Sequence, residues 1–128
     1  MASKGRIMVV DDEIDILKII RRILEKWEFE VDTFSNPLNA HEVFKNTHKR
    51  YALVLIDLRM PEINGIALAV MLRRIRKDIR IMIMTAYDIS IKDIQADVPD
   101  LKPLSLLRKP FVQKQICDAV KNQVQVLS

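Results

Sequence analysis

Short apolar runs alternate along this chain with segments whose apolar residues recur every three or four positions. The runs predict strands, and the longer spacing predicts helices. The predicted strands are 6–10, 29–34, 51–57, 79–84 and 104–107, and the predicted helices are 16–27, 37–47, 65–76, 90–97 and 112–125. Five strand–helix pairs in succession predict an α/β fold, in which one parallel sheet carries helices on both faces.

The most informative stretch is 53–65. Its four apolar residues, Leu53 to Ile56, run directly into Asp57, and a turn signal ending in Asn64-Gly65 follows. An unbroken apolar run predicts a strand that is buried on both faces, and ligands bind such sheets beyond the carboxyl ends of the strands. Asp57 therefore stands at a place suited to function, although on its own it is better explained as a turn-capping residue.

Polar residues also follow the other predicted strands. Asp11 and Asp12 come after the first strand, Thr85 after the fourth and Lys109 after the fifth. Parallel strands bring these groups to one edge, where carboxylates ~4 Å apart repel by about 4 kcal/mol at an effective dielectric of 20 unless a cation neutralises them. Oxygen ligands without His or Cys favour Mg²⁺, and a lysine with a hydroxyl suits a phosphoryl group.

Composition narrows the class of protein. The 128 residues, 49% of them hydrophobic, predict a single domain over 1–128 with one core. No apolar run approaches the ~20 residues of a membrane span, and no secretory signal is evident. The single cysteine, Cys117, suits a reducing compartment. We therefore expect a cytoplasmic protein that does not engage a membrane.

The net charge of +4 raises the question of nucleic-acid binding. The basic clusters alternate with apolar positions of predicted helices, and aromatic residues make up only 5% of the chain, which leaves few rings for stacking on bases. Solvated helix faces explain the clusters better, so we expect no direct nucleic-acid binding by this domain. The clustered residues are Lys18, Arg21, Arg22, Arg73, Arg74, Arg76 and Lys77.

The combined motifs resemble those of the receiver domains of two-component response regulators, including the chemotaxis type. The matching segments are Asp11-Asp12, 57–61 with Asn64-Gly65, Thr85-Ala86 and 109–111. The resemblance covers nearly the whole chain. It implies a doubly wound, flavodoxin-like fold with a five-stranded parallel sheet in the order 2-1-3-4-5 and five flanking helices.

The resemblance also implies roles for the acidic residues. Asp57 would accept a phosphoryl group from the phosphohistidine of a sensor histidine kinase or a phosphotransfer protein. Asp12, Asp57 and the backbone carbonyl of Arg59 would bind Mg²⁺ directly, and Asp11 would act through water. The domain would then signal to a downstream protein by a change in conformation.

Further residues acquire expected roles in the same way. Thr85 would hydrogen-bond the phosphoryl group and Lys109 would pair with it, with the Lys109-Pro110 bond in the cis form. Arg59 and Tyr87 occupy positions that in this family tune loss of the phosphoryl group. The chain would be a signalling module with self-catalysed phosphotransfer and slow autodephosphorylation, either a monomer or a weak dimer.

Two departures from the family pattern concern output. Leu106 stands where the family usually has an aromatic residue that moves on activation, and we expect it to stay buried. The segment 97–103 contains two prolines, which predict a short fourth helix. We therefore expect phosphorylation to reorganise the segment from Tyr87 to Pro103 and to leave Leu106 in place.

Two alternative functions remain open. The chain could be the receiver fragment of a longer DNA-binding regulator. It could also be a hydrolase with an aspartyl-phosphate intermediate. Such haloacid-dehalogenase-like enzymes carry a second Asp two residues after the nucleophile, and Arg59 occupies that position here.

Overall fold

The computed structural model describes residues 4–86, 89–98, 101 and 104–125. Its five strands are β1 (Arg6–Val10), β2 (Glu30–Phe34), β3 (Tyr51–Asp57), β4 (Ile81–Thr85) and β5 (Leu104–Arg108). Its helices are α1 (Ile14–Lys26), α2 (Pro37–Thr47), α3 (Gly65–Ile75), α4 (Ile91–Asp97) and α5 (Gln113–Gln125), with a short 3-10 helix at His48–Arg50. None of the helices in this part of the chain has the length and apolar character to cross a membrane.

The strands form one parallel sheet in the order β2-β1-β3-β4-β5. This confirms both the predicted fold class and the strand order that the resemblance implied. Each strand connects to the next strand in the chain through a helical crossover, and the crossover from β2 to β3 passes over β1, so that helices cover both faces of the sheet. The core of one face contains side chains from α2, α3 and α4, and that of the other contains side chains from α1 and α5.

The helix boundaries follow from local chemistry. Asn36 caps α2, with its side chain accepting hydrogen bonds from two backbone amides, and Pro37 opens the helix. Ser90 and Asp93 form a reciprocal capping box at the start of α4. α4 ends at Asp97, so the expectation of a short fourth helix is confirmed.

Several sequence expectations need correction. The apolar spacing of the predicted helices would bury Ile19 and Leu38, but both side chains are about half exposed. β4 begins at Ile81 rather than Ile79, since the turn after α3 still includes Ile79. Leu106 is only partly buried, at the margin of the core beneath α2, α3 and α4.

Trp27 lies at the C-terminal end of α1 and faces α5. Its side chain is 36% exposed, and the ammonium group of Lys121 lies 3.4 Å from its ring centroid. A cation held over an indole face is attracted by the ring electrons. The contact therefore ties the ends of the two helices that cover one face of the sheet.

Candidate phosphoacceptor site

The ends of the central strands are staggered so that the predicted polar residues converge. Val10 is the register partner of Ile56 and Asp57 that of Met84, while Thr85 is paired with Arg108. Asp57 and Thr85 are the last residues of β3 and β4, and Asp11 and Lys109 directly follow β1 and β5, so all four reach the same edge of the sheet. The sequence expectation that Asp11, Asp57, Thr85 and Lys109 gather there is met by the geometry.

Asp11 is fully buried at the end of β1. Its backbone N–H donates to the carbonyl of Phe34, which extends the pairing with β2 by one residue. Its Oδ1 atom accepts a hydrogen bond from the backbone N–H of Glu13 at 2.9 Å. These contacts fix the carboxylate in place just before α1 begins.

Asp57 is the last residue of β3, and its side chain is 10% exposed. The loop that follows returns to the strand, since the N–H of Gly65 donates to the carbonyl of Leu58 at 2.8 Å. A Cβ atom at position 65 would overlap the carbonyl oxygen of Asp57. The glycine is therefore required for α3 to start directly against the strand end that carries Asp57.

Lys109 reaches the acidic residues from the end of β5. Its backbone N–H donates to the carbonyl of Thr85 at 2.7 Å, and the Lys109-Pro110 bond is cis, as the resemblance implied. Its Nζ atom lies 2.7 Å from Asp11 Oδ2 and 3.1 Å from Asp57 Oδ1. One ammonium group thus bridges two carboxylates that would otherwise repel each other.

The site shifts the pKa values of both partners of this ion pair. Burial and the nearby Asp11 charge raise the pKa of Asp57 to about 6, against the opposing effect of Lys109. Burial lowers the pKa of Lys109, but its contacts with Asp11 and Asp57 outweigh that effect and leave the pKa raised. Near neutral pH the lysine is therefore charged, and Asp57 is mostly ionised but close to its titration range.

The cluster opens to solvent through a depression of about 310 Å³. Asp12 is exposed at its rim, and Thr85 is buried in its wall. Arg59 follows Asp57 by two residues in the loop that forms another side. The residues that line the depression are Asp12, Glu13, Asp57, Leu58, Arg59, Thr85, Ala86 and Lys109.

The acidic residues are arranged as a hard cation would require. Asp11, Asp12 and Asp57 each offer one oxygen, and these oxygens lie within 4.8 Å of one another. Carboxylate oxygens without nitrogen or sulfur partners suit Mg²⁺ or Ca²⁺ better than a transition metal. The cluster can therefore hold a metal ion.

Two residues gain importance that the sequence did not reveal. Glu13 is not among the residues that the sequence singles out, yet its Oε1 lies 3.7 Å from Lys109 Nζ at the rim of the depression. Gly65 was interpreted only as part of a turn, yet it allows α3 to start directly against Asp57.

Tyr87 and the two prolines of 97–103, Pro99 and Pro103, lie outside the described residues.

Comparisons with known proteins agree on one family. Residues 7–121 match the family model of the response regulator receiver domain. The chain is 31% identical over 123 residues to sporulation initiation phosphotransferase F of Bacillus subtilis, with 96% of each chain covered. It also spans about half the length of a similar transcriptional regulatory protein, the CpxR homolog of Haemophilus influenzae, at 30% identity.

Solved structures show the same relationship. The response regulator protein TrrA of Thermotoga maritima, solved in complex with Mg²⁺-BeF, is 30% identical with a TM-score of 0.77, covering 93% of this chain and 98% of that one. A CheY-like receiver domain protein from Methanospirillum hungatei superposes with a TM-score of 0.83 at 21% identity, over 95% of this chain and 94% of that one. The second likeness concerns the fold alone.

Proposed function

Because this chain belongs to the response regulator receiver domain family and is a module of two-component signalling, we propose that Asp57 is its phosphoacceptor. A carboxylate oxygen of Asp57 attacks the phosphorus of a phosphohistidine. The new O–P bond forms an acyl phosphate, while the P–N bond breaks and the histidine ring leaves with its electron pair. The donor is a sensor histidine kinase or a phosphotransfer protein.

The observation that carries this proposal is the contact of Lys109 Nζ with Asp57 Oδ1 at 3.1 Å, at the base of an open depression. The lysine helps to keep Asp57 ionised despite burial, and an ionised carboxylate is the nucleophilic form. Asp11 is fully buried and bound to Lys109, so it is poorly placed to attack a donor. Among the three clustered acids, Asp57 thus combines access with an activating cation.

The acidic cluster fits the Mg²⁺ that the family implies. Asp12, Asp57 and the backbone carbonyl of Arg59 would hold the ion, with Asp11 contributing indirectly. When bound, Mg²⁺ supplies neutralisation of the negative charge on the phosphoryl oxygens. The chain itself supplies the fixed carboxylates, and the bond between Glu13 N–H and Asp11 Oδ1 keeps one of them in position.

Thr85 and Lys109 are the groups proposed to receive the phosphoryl group. The Thr85 hydroxyl would donate a hydrogen bond to a phosphoryl oxygen, and the Lys109 ammonium would pair with another. The backbone bond between Lys109 N–H and the Thr85 carbonyl holds the two residues side by side at 2.7 Å. A movement of either residue would therefore displace the ends of both β4 and β5.

The partners follow from this chemistry. We infer that a kinase or phosphotransfer protein delivers the phosphoryl group in the cytoplasm and that a downstream protein senses the altered surface. Leu106 offers no aromatic ring for the usual switch. We therefore assign the response to the segment from Tyr87 to Pro103, of which residues 89–98 and 101 are described.

The proposal is tested by labelling with acetyl phosphate in the presence of Mg²⁺ and measuring the intact mass. We expect the wild-type chain to gain one phosphoryl group, stable in acid and labile in base. Asp57→Asn should gain none. The matched control, Asp15→Asn, changes an exposed aspartate outside the cluster and should be labelled like wild type. Labelling that persists in Asp57→Asn would show that Asp57 is not the acceptor.

A further inference from the structure

A recess lies between α3 and the end of α4, apart from the edge of the sheet that carries Asp57. Its volume is about 380 Å³. Val70, Arg73, Arg74 and Lys77 line it from α3 and the turn that follows, and Val98 and Leu101 line it from the end of α4 and beyond. Every charged residue in this described lining is basic.

The recess has an apolar floor and a charged rim. Leu101 is 2% exposed, and Val70 and Val98 are half-buried beside it. Arg74 and Lys77 are exposed, and both line the opening of the recess. Protein interfaces typically have this arrangement, with an apolar centre for an anchoring side chain and a polar rim that orients the partner.

The wall of the recess adds further positive charge. Arg73 is 9% exposed, and its Nε donates to the carbonyl of Ile79 at 2.8 Å. Burial and the nearby Arg80 lower the pKa of Arg73. In the described part of the chain, Nε of Arg80 is buried without a hydrogen-bond partner.

The rim presents its positive charge to solvent, since Arg74 and Lys77 are both exposed beside the opening. Among the described residues, Asp78 acts on Arg73 through its charge, and its carboxylate also binds Arg76 Nε at 2.9 Å. A partner carboxylate would be attracted to this rim, and arginine binds carboxylates in a planar, two-point geometry.

We propose that this recess docks a segment of a partner protein in which carboxylate side chains flank one apolar side chain. The apolar side chain occupies the floor formed by Val70, Val98 and Leu101. The carboxylates pair with Arg74 and Lys77 at the rim. A nucleic-acid backbone matches the charge but brings no aliphatic group to the floor, and the described lining has no aromatic ring on which a base could stack.

The recess lies at a distance from Asp57, the proposed site of phosphotransfer. α3 begins at Gly65, against Asp57, and its eleven residues extend about 16 Å to the turn that carries Lys77. A partner in the recess therefore leaves the depression above Asp57 open. The inference does not depend on Asp57 being the phosphoacceptor, and it can be tested on the unphosphorylated protein.

The test is a selection from a random peptide-display library on the immobilised full chain, followed by synthesis of the enriched peptides. We expect these peptides to contain Asp or Glu on both sides of a Leu, Ile or Phe. Their affinity is then measured by fluorescence anisotropy for wild type and for the double variant Arg74→Glu, Lys77→Glu. The matched control is Lys18→Glu, Arg22→Glu, which makes the same charge change on exposed positions of α1, across the sheet.

The proposal predicts that the rim variant binds the peptides at least about tenfold more weakly, while the α1 variant stays within about twofold of wild type. Amide shifts should centre on residues 70–77, 98 and 101, and both variants should keep the circular dichroism spectrum of wild type. Equal losses in both variants would reveal a general charge effect and overturn the proposal. So would enrichment of basic peptides, or binding of a mixed-sequence DNA duplex that the rim variant alone abolishes.

Discussion

The ammonium nitrogen of Lys109 lies 2.7 Å from Oδ2 of Asp11, a shorter distance than the 3.1 Å to Asp57. The lysine from the last strand is thus the counter-charge of the buried carboxylate on the first. A metal ion in the cluster would take over part of that neutralisation. Lys109 would then be available to a phosphoryl group on Asp57, so the acidic cluster and the lysine act as one charge-balanced unit.

Magnesium is expected to stabilise the fold. Millimolar Mg²⁺ should raise the thermal midpoint, because a ligand that binds only the folded state shifts unfolding by mass action, and the ion relieves repulsion among Asp11, Asp12 and Asp57. Asp12→Ala should remove most of this response, whereas Asp15→Ala should keep it. Calorimetry with and without the ion makes the comparison. A wild-type midpoint that ignores Mg²⁺ would reject the acidic cluster as a metal site.

Replacing Lys109 by alanine is expected to lower the stability of the fold but to leave metal binding intact. Lys109→Ala should destabilise the metal-free protein by about 3–5 kcal/mol, because it leaves the buried Asp11 carboxylate without its counter-charge. Titration calorimetry should still detect Mg²⁺ binding, since the carboxylates remain and a competing cation has gone. Lys114→Ala, on the exposed side of α5, is the matched control and should resemble wild type in both measurements.

Lys109→Ala should also prevent phosphorylation of Asp57 from changing the conformation of α4. We expect Asp57 to accept a phosphoryl group from acetyl phosphate, yet amide exchange in α4 should not change as it does in wild type. An unchanged exchange response in the variant would remove Lys109 from the signalling route.

The pH dependence of stability has a defined sign. The pKa of Asp57 is about 6 in the folded chain and 3.8 in its reference state, so the folded form retains the proton longer. Metal-free protein should therefore lose on the order of 2–3 kcal/mol of unfolding free energy as the pH rises from about 4 to about 6. Urea unfolding across this range measures the loss. Asp57→Asn should flatten the profile, and Asp15→Asn should not; identical slopes in all three proteins would contradict the assignment.

Gly65→Ala should destabilise the protein, although alanine is the better helix former. Helix propensity alone would favour the substitution by up to about 1 kcal/mol. The added Cβ would meet the carbonyl of Asp57, which belongs to the rigid end of β3, so we expect a net loss of more than about 1 kcal/mol in urea unfolding. A gain in stability would mean that the start of α3 can move away from the strand at little cost.

The succession of strands and helices was predictable from sequence because each buried strand appears as an apolar run and each strand end as a change to polar residues, whereas the strand order came from the family resemblance. The run from Leu53 to Asp57 contains both signals, and the strand predicted over 51–57 is present as β3, Tyr51–Asp57. Helix faces were less predictable. Leu38 is an apolar residue in the first turn of α2 but is 46% exposed, because the buried face of that helix consists of Pro37, Ala40 and Phe44.

The candidate site was predictable as a set of residues but not as a set of contacts. Strand ends bring Asp11, Asp57 and Lys109 together in any parallel sheet of this order. The preference of Lys109 for Asp11 depends on the path of a long side chain, and the approach of Glu13 depends on how α1 begins. The need for Gly65 follows from the distance between two backbones, which sequence spacing does not record.

The contact of Trp27 with Lys121 has a consequence for optical measurements. Trp27 is the only tryptophan in the chain, and the thirteen residues of α1 separate it by about 20 Å from the edge that carries Asp57. Its fluorescence is therefore governed by the packing of α1 against α5, where a nearby ammonium group influences the excited indole. A change in emission after treatment with a phosphodonor would report that the event at one end of the sheet had reached the opposite end. A tryptophan introduced at Met60, in the loop after Asp57, would instead report local events, and the two emissions together would time the spread of the response through the domain.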